Sequence, residues 1–214
     1  MKKPLIVLVG PTGVGKSEFC VQYALLHAPA TIFDLDIYNP YFRPREISGW
    51  LSKYQIEVKG NQTDNTTNQD LPFIANQFHN ANGLLLVDCA GDVQGLMPLK
   101  VLRDELDNFD LQCYMVYNAY RNEASLEFYQ KLQSIIVDEM GLWVNGLINN
   151  TNLLDLTDWS MIEHGIHECE ALAKQLGLPI WMGMCDQQFM GMVKTDYPWL
   201  FVNELTLRKV WMGE

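Results

Sequence analysis

The chain has 214 residues, 48% of them hydrophobic and 19% charged, with a formal net charge of −11. That is a globular mixture, and the length is within reach of one α/β domain with a substantial core. The acidic balance argues against a broad nucleic-acid surface and against general attraction to anionic lipid. It does not oppose nucleotide binding, which needs only local amides and one lysine. The cysteines at 20, 89, 113, 169 and 185 form no C-x-x-C pair. Four lie inside apolar runs, the pattern of reduced thiols in the cytoplasm rather than of a disulfide or zinc framework. Met1-Lys2-Lys3-Pro4 leads straight into a short apolar run, and no run approaches membrane-spanning length, so no signal peptide or membrane segment is expected. The sequons at Asn61, Asn65 and Asn149 therefore carry no expectation of glycosylation.

In chain order, β-rich apolar runs at 5–9, 30–35, 83–88, 111–118, 142–149 and 179–184 alternate with helical patterns near 16–27, 71–80, 94–107, 122–140 and 160–176. This alternation predicts a single α/β domain over 1–214: a mostly parallel sheet flanked by helices on both faces. Ser160-Met161-Ile162-Glu163 has the form of a capping box, and Gly177 that of a helix stop. Pro44 suits the first turn of a short helix running to Trp50. The apolar-free stretch at about 60–70 reads as a flexible surface loop. The segment at about 200–212 reads as helical and packed on the sheet, an amphipathic membrane anchor being the weaker alternative.

The chemistry begins after the first strand. Gly10-Pro11-Thr12-Gly13-Val14-Gly15-Lys16-Ser17 lies between that strand and a helix-like stretch that opens with Ser17-Glu18 and runs to Leu26. This is the context that a G-x-x-x-x-G-K-[ST] phosphate loop, a Walker A motif, requires. Its glycines let successive N–H groups turn inward, and the helix N-terminus adds unpaired amides. Lys16 supplies charge to the phosphates and the Ser17 hydroxyl a ligand for Mg²⁺. The motif predicts a bound nucleotide triphosphate.

Three further strand ends extend the site. The 83–88 strand ends in Asp88, with Gly91 soon after, as a magnesium-linked acid and a γ-phosphate amide donor would be arranged. Asp34 and Asp36 close the 30–35 strand and, by a period of two, share a face; Asp36 is the stronger metal or water-orienting candidate. The 142–149 strand runs into Asn149 and Asn150, whose amides suit the edge of adenine, turn-forming asparagines being the alternative. The guanine-reading Asn-Lys-x-Asp pattern is absent at that strand end, which points to ATP. His164 and His167, three apart on the last helix, have no evident third ligand and carry no metal expectation.

With these residues in place, the chain resembles the MinD/ParA-like branch of P-loop ATPases and, within it, an uncharacterised bacterial group. The narrower resemblance rests on residues 15–19, on the Asp-x-Asp-x-x-Asn-Pro-Tyr-Phe-Arg-x-Arg-Glu run from Asp34 to Glu46, and on residues 146–153. It implies ATP and Mg²⁺ as ligands. Lys16 and Ser17 would hold phosphate and metal, Asp36 would lie in a first switch and position water, and Asp88 would be the metal-linked acid. Gly91 would belong to a second switch, and Asn149 or Asn150 would contact the base. One position departs from the family. Its lysine after the first loop glycine, which reaches across a dimer, is replaced here by Pro11, with Arg43 or Arg45 as possible substitutes. The resulting expectation is a slow, switch-like ATPase that associates with itself or with a protein partner. The alternatives are an ATP-dependent phosphotransferase or ligase, with Arg43, Arg45, Arg121 and the 60–70 loop available for an acceptor, and a non-hydrolysing nucleotide-binding module.

Overall fold

The computed structural model describes residues 2–36, 43–60, 71–91, 94–121, 125–207 and 209, the side chains at 71–75 and 94 excepted. Eight strands form one sheet: β1 (Pro4–Val9), β2 (Ala30–Asp34), β3 (Ile56–Gly60), β4 (Leu84–Asp88), β5 (Asp110–Tyr117), β6 (Val144–Asn149), β7 (Ile180–Asp186) and β8 (Trp199–Val202). Their order is β3-β2-β4-β1-β5-β6-β7-β8, and every neighbouring pair is parallel. The single α/β domain and its parallel sheet are as the alternation predicts.

The alternation of side chains along β1 divides the core. Leu5, Val7 and Val9 face one cluster, with Phe33, Phe78, Tyr129 and Cys169. Ile6 and Leu8 face the other, with Phe19, Ile32 and Leu51. Because both faces are covered, the central strands are apolar throughout rather than alternating. All five cysteines are buried and free. Among the described residues, no helix is long and apolar enough to cross a membrane.

Several local expectations are corrected. The edge strand β3 escaped the hydrophobic reading because Glu57 and Lys59 interrupt it. Trp199–Val202 is a strand on β7, so helix within the 200–212 segment begins only at Thr206. The 94–107 stretch is broken into the short helices Gln94–Leu96, Met97–Val101 and Arg103–Leu106. The helix expected from Ser160 instead starts at Trp159, capped by Asp158, whose carboxylate accepts from the Met161 amide at 2.9 Å and from the Ser160 hydroxyl at 2.7 Å. Its Gly177 stop is in the left-handed conformation, and Pro44 opens the turn Pro44–Ile47, both as expected. Positions 61–70 of the proposed loop and 37–42 of the proposed switch lie outside the described residues.

One close contact fixes the last long helix to the sheet edge that carries the site. A Cβ at Gly165 would lie 2.3–2.5 Å from the Thr151 side chain, just beyond β6. Alanine gains up to about 1 kcal/mol of helix propensity over glycine, whereas overpacking costs about 1–3 kcal/mol. Gly165→Ala is therefore expected to lower unfolding free energy in urea, and Thr151→Ala, which keeps the Cβ nearest to the new methyl group, is not expected to recover the loss.

Candidate functional site

The residues between β1 and the helix Lys16–Leu26 wrap into a loop that only glycine permits at two points. Gly10 has φ 139° and a Cβ there would sit 2.7 Å from the Val116 carbonyl oxygen. Gly15 has φ 90°, and a Cβ there would overlap the Asn150 amide. Gly15 is also the N-cap, and no side chain caps the helix, so its first amides are left for another acceptor. Lys16 is buried and curls back over the loop, donating to the carbonyl oxygens of Gly10 at 2.9 Å and Pro11 at 3.0 Å.

Three acids collect at the carboxyl ends of β2 and β4. Asp34 and Asp88 are in register on these adjacent strands, and both are buried. Arg45 neutralises Asp34 through an Nε–Oδ2 contact of 2.6 Å, and also donates to the Asp36 carbonyl oxygen at 3.0 Å. The period of two does not carry from Asp34 to Asp36, because the strand ends at Asp34. Instead, the Asp34 carboxylate accepts from the Asp36 amide at 3.2 Å. Arg45 is therefore engaged with Asp34 and the Asp36 backbone within its own chain.

Asp88 has no such clamp: neither carboxylate oxygen finds a hydrogen-bond partner of ordinary geometry among the described residues. Burial, and then the neighbouring Asp34 charge, push its pKa up to about 7, against the opposing pull of Lys16 and the Ser17 hydroxyl. Lys16 moves the other way, lowered by burial and held up by Asp88 and Asp36. Among the described residues no three His, Cys, Asp or Glu side chains form a metal centre of their own. An orphaned buried carboxylate beside a hydroxyl fits a magnesium ion that shares its coordination with phosphate and water.

A cavity of about 390 Å³ lies over the loop, and Thr12, Gly13, Lys16, Ser17 and Asp36 line it. Asn118, Arg121, Asn150 and Met184 complete much of the wall. A second cavity of about 480 Å³ adjoins it, sharing Asn150, Asn152, Leu154, Met184 and Leu205. Val14 also lines the first cavity, but its side chain is buried beneath the loop. Gly91 sits against the loop, where a Cβ would be 2.4 Å from the Thr12 amide nitrogen.

The predicted asparagine pair divides. Asn150 lines both cavities, while its amide donates to the Val14 carbonyl oxygen at 2.7 Å. Asn149 lines neither cavity. It is fully buried, donating to the Gly165 carbonyl oxygen at 3.1 Å and accepting from the Thr151 amide and hydroxyl. Glu18 borders the first cavity, but its carboxylate caps the C-terminal segment, accepting from the amides of Thr206 at 2.7 Å and Leu207 at 3.0 Å. His164 and His167 are exposed on their helix. The Asp34–Arg45 clamp and the approach of Arg121 to the loop were missed from sequence, since neither contact leaves a spacing signal.

The raised pKa of Asp88 fixes a pH dependence. The folded chain binds this proton more tightly than the unfolded one, so stability falls as pH rises from about 4 to about 7. Without magnesium or nucleotide, Asp88→Asn is expected to melt a few degrees above wild type at pH 8, the gap closing towards pH 5. Parallel melting curves across that range would contradict the assignment.

No protein-family profile matches this chain, and no curated protein matches it in sequence. Solved structures do. FtsY of Mycoplasma mycoides superposes with a TM-score of 0.57 at 16% identity, covering 84% of this chain and 59% of that one. The 54 kDa signal recognition particle protein of Aeropyrum pernix, in complex with GDP, gives 0.54 at 15% identity over 84% and 41%. The signal recognition particle receptor FtsY of Elizabethkingia anophelis, also with GDP, gives 0.54 at 15% identity over 85% and 57%. The chain thus spans between 41% and 59% of the length of these three proteins. Loop, sheet order and structural likeness agree: the chain has the P-loop NTPase fold.

Proposed function

We propose that the protein binds Mg-ATP over this loop in the cytoplasm, hydrolyses it slowly, and uses its nucleotide state to control association with itself or another protein. Within the fold, this is a MinD/ParA-like switch. The observation that supports it most is the electrostatic pull of Lys16 on a buried Asp88 whose carboxylate has no hydrogen-bond partner of ordinary geometry among the described residues, behind a loop whose Lys16 and Ser17 line the cavity. Loop and helix amides cradle the phosphates, and Lys16 exchanges its two carbonyl partners for phosphate oxygens. Ser17, Asp36 and Asp88 would hold Mg²⁺, which when bound neutralises phosphate charge. Asp36, on the cavity wall, orients the attacking water. Asn150 borders both cavities where a nucleoside would leave the phosphates. The missing Asn-Lys-x-Asp pattern favours adenine, while two of the similar structures hold GDP, so base identity is a direct test.

The adjoining cavity of about 480 Å³ favours one second reading, transfer from ATP to a small acceptor bound there. Calorimetric titration with ATP and GTP, followed by phosphate release without any acceptor, separates the cases. The switch reading predicts ATP preferred over GTP and slow release with no addition. It also predicts a change in oligomeric mass or partner capture between ADP and a non-hydrolysable ATP analogue. Lys16→Ala is expected to weaken ATP binding about tenfold to a hundredfold, as the loss of charged hydrogen bonds would. GTP preference would overturn the assignment of ATP, and turnover only with a metabolite would favour transfer.

A further inference from the structure

Two arginines have a buried Nε without a hydrogen-bond partner among the described residues, Arg43 and Arg121. Of these, only Arg121 lines the cavity over the phosphate loop. Its Nε and Cζ lie 3.8 and 3.9 Å from where a Cβ on Gly13 would stand, so the guanidinium rests on the loop itself. No ion pair or side-chain hydrogen bond engages it among the described residues. Leaving a buried charged donor unpaired is costly, and a planar guanidinium is suited to bidentate capture of phosphate oxygens.

The segment that carries Arg121 is held firmly. The Arg121 amide closes a turn onto the Asn118 carbonyl oxygen at 3.2 Å, and the Asn118 side chain accepts from the Tyr120 amide at 3.0 Å. The same side chain donates to the Asn152 carbonyl oxygen at 3.0 Å, and the Ala119 amide donates to the Thr151 hydroxyl at 3.2 Å. The turn after β5 is thereby tied to the turn after β6. Arg121 approaches the loop from a braced position within its own chain.

We infer that Arg121 is a phosphate-binding residue supplied in cis, providing the second positive charge that Pro11 cannot. This rests on the nucleotide reading of the loop, and makes a second copy of the chain unnecessary to complete the charge around the phosphates. The test is titration of wild type, Arg121→Ala, Arg121→Lys and Lys16→Ala with Mg-ADP and with a non-hydrolysable Mg-ATP analogue, alongside melting without nucleotide. Arg121→Ala is expected to bind the ATP analogue about tenfold to a hundredfold more weakly with unchanged melting, and Arg121→Lys to fall between it and wild type. Adding Lys16→Ala protein, which brings an intact Arg121 in trans, is expected to restore nothing.

Wild-type affinity in Arg121→Ala would overturn the inference while leaving the nucleotide site standing. Rescue by the Lys16→Ala protein would overturn the cis assignment. Failure of wild type to bind either nucleotide would overturn the reading of the loop, and this inference with it.

Discussion

Asp34 and Asp88 stand side by side on adjacent parallel strands, both buried, and a parallel sheet offers neither of them a cation of its own. Each must be matched from outside the sheet. Arg45 reaches Asp34 from the turn Pro44–Ile47 and also grips the Asp36 backbone. Lys16 reaches towards Asp88 from the phosphate loop, without closing a hydrogen bond to it. One acid is thus neutralised permanently and the other incompletely, and the incompletely matched acid is the one beside the Ser17 hydroxyl. The turn Pro44–Ile47 is thereby tied to the end of β2, while Asp88 is left without a hydrogen-bond partner of ordinary geometry among the described residues.

The site lies where sheets of this kind place ligands, at the carboxyl ends of strands beside the point where strand order reverses. From β1 the chain runs first to β2 and the edge strand β3, returns to place β4 between β2 and β1, and then adds β5 to β8 on the other side of β1. The crevice between the two halves is walled by turns that bind one another: Asn118 to Asn152, Ala119 to Thr151, Asn150 to Val14. Glu18 adds a connection of a different kind. Two residues after Lys16, it caps the C-terminal segment through the amides of Thr206 and Leu207, while Leu205 and Leu207 border the phosphate cavity. Loop, helix and C-terminal segment therefore share one hydrogen-bonded unit.

Much of this was legible in the sequence, for physical reasons that also mark its limits. Strands β1, β2, β4, β5, β6 and β7 are apolar runs because helices or long segments cover both faces. The edge strand β3 carries Glu57 and Lys59 because an edge tolerates charge, and so it lacked the signal. The phosphate loop was readable because its glycines, lysine and serine are local. The pairing of Arg45 with Asp34 was not, because eleven residues and a turn separate them. Asn149 and Asn150 were equivalent as letters, but Asn149 is the last residue of β6 and Asn150 lies in the turn beyond it. One of them turns to the long helix and the other to the cavity.

The central claim is that this loop, with Lys16, Ser17 and Asp88, is a magnesium-nucleotide site. A crystal structure grown with Mg²⁺ and a non-hydrolysable ATP analogue tests it most directly. The account predicts phosphates within hydrogen-bond distance of the amides of residues 13–17, Lys16 Nζ moved from the Gly10 and Pro11 carbonyls onto them, and a cation beside Ser17 and Asp88. A nucleotide bound elsewhere, or Lys16 still on the loop carbonyls with Asp88 bare, would contradict it.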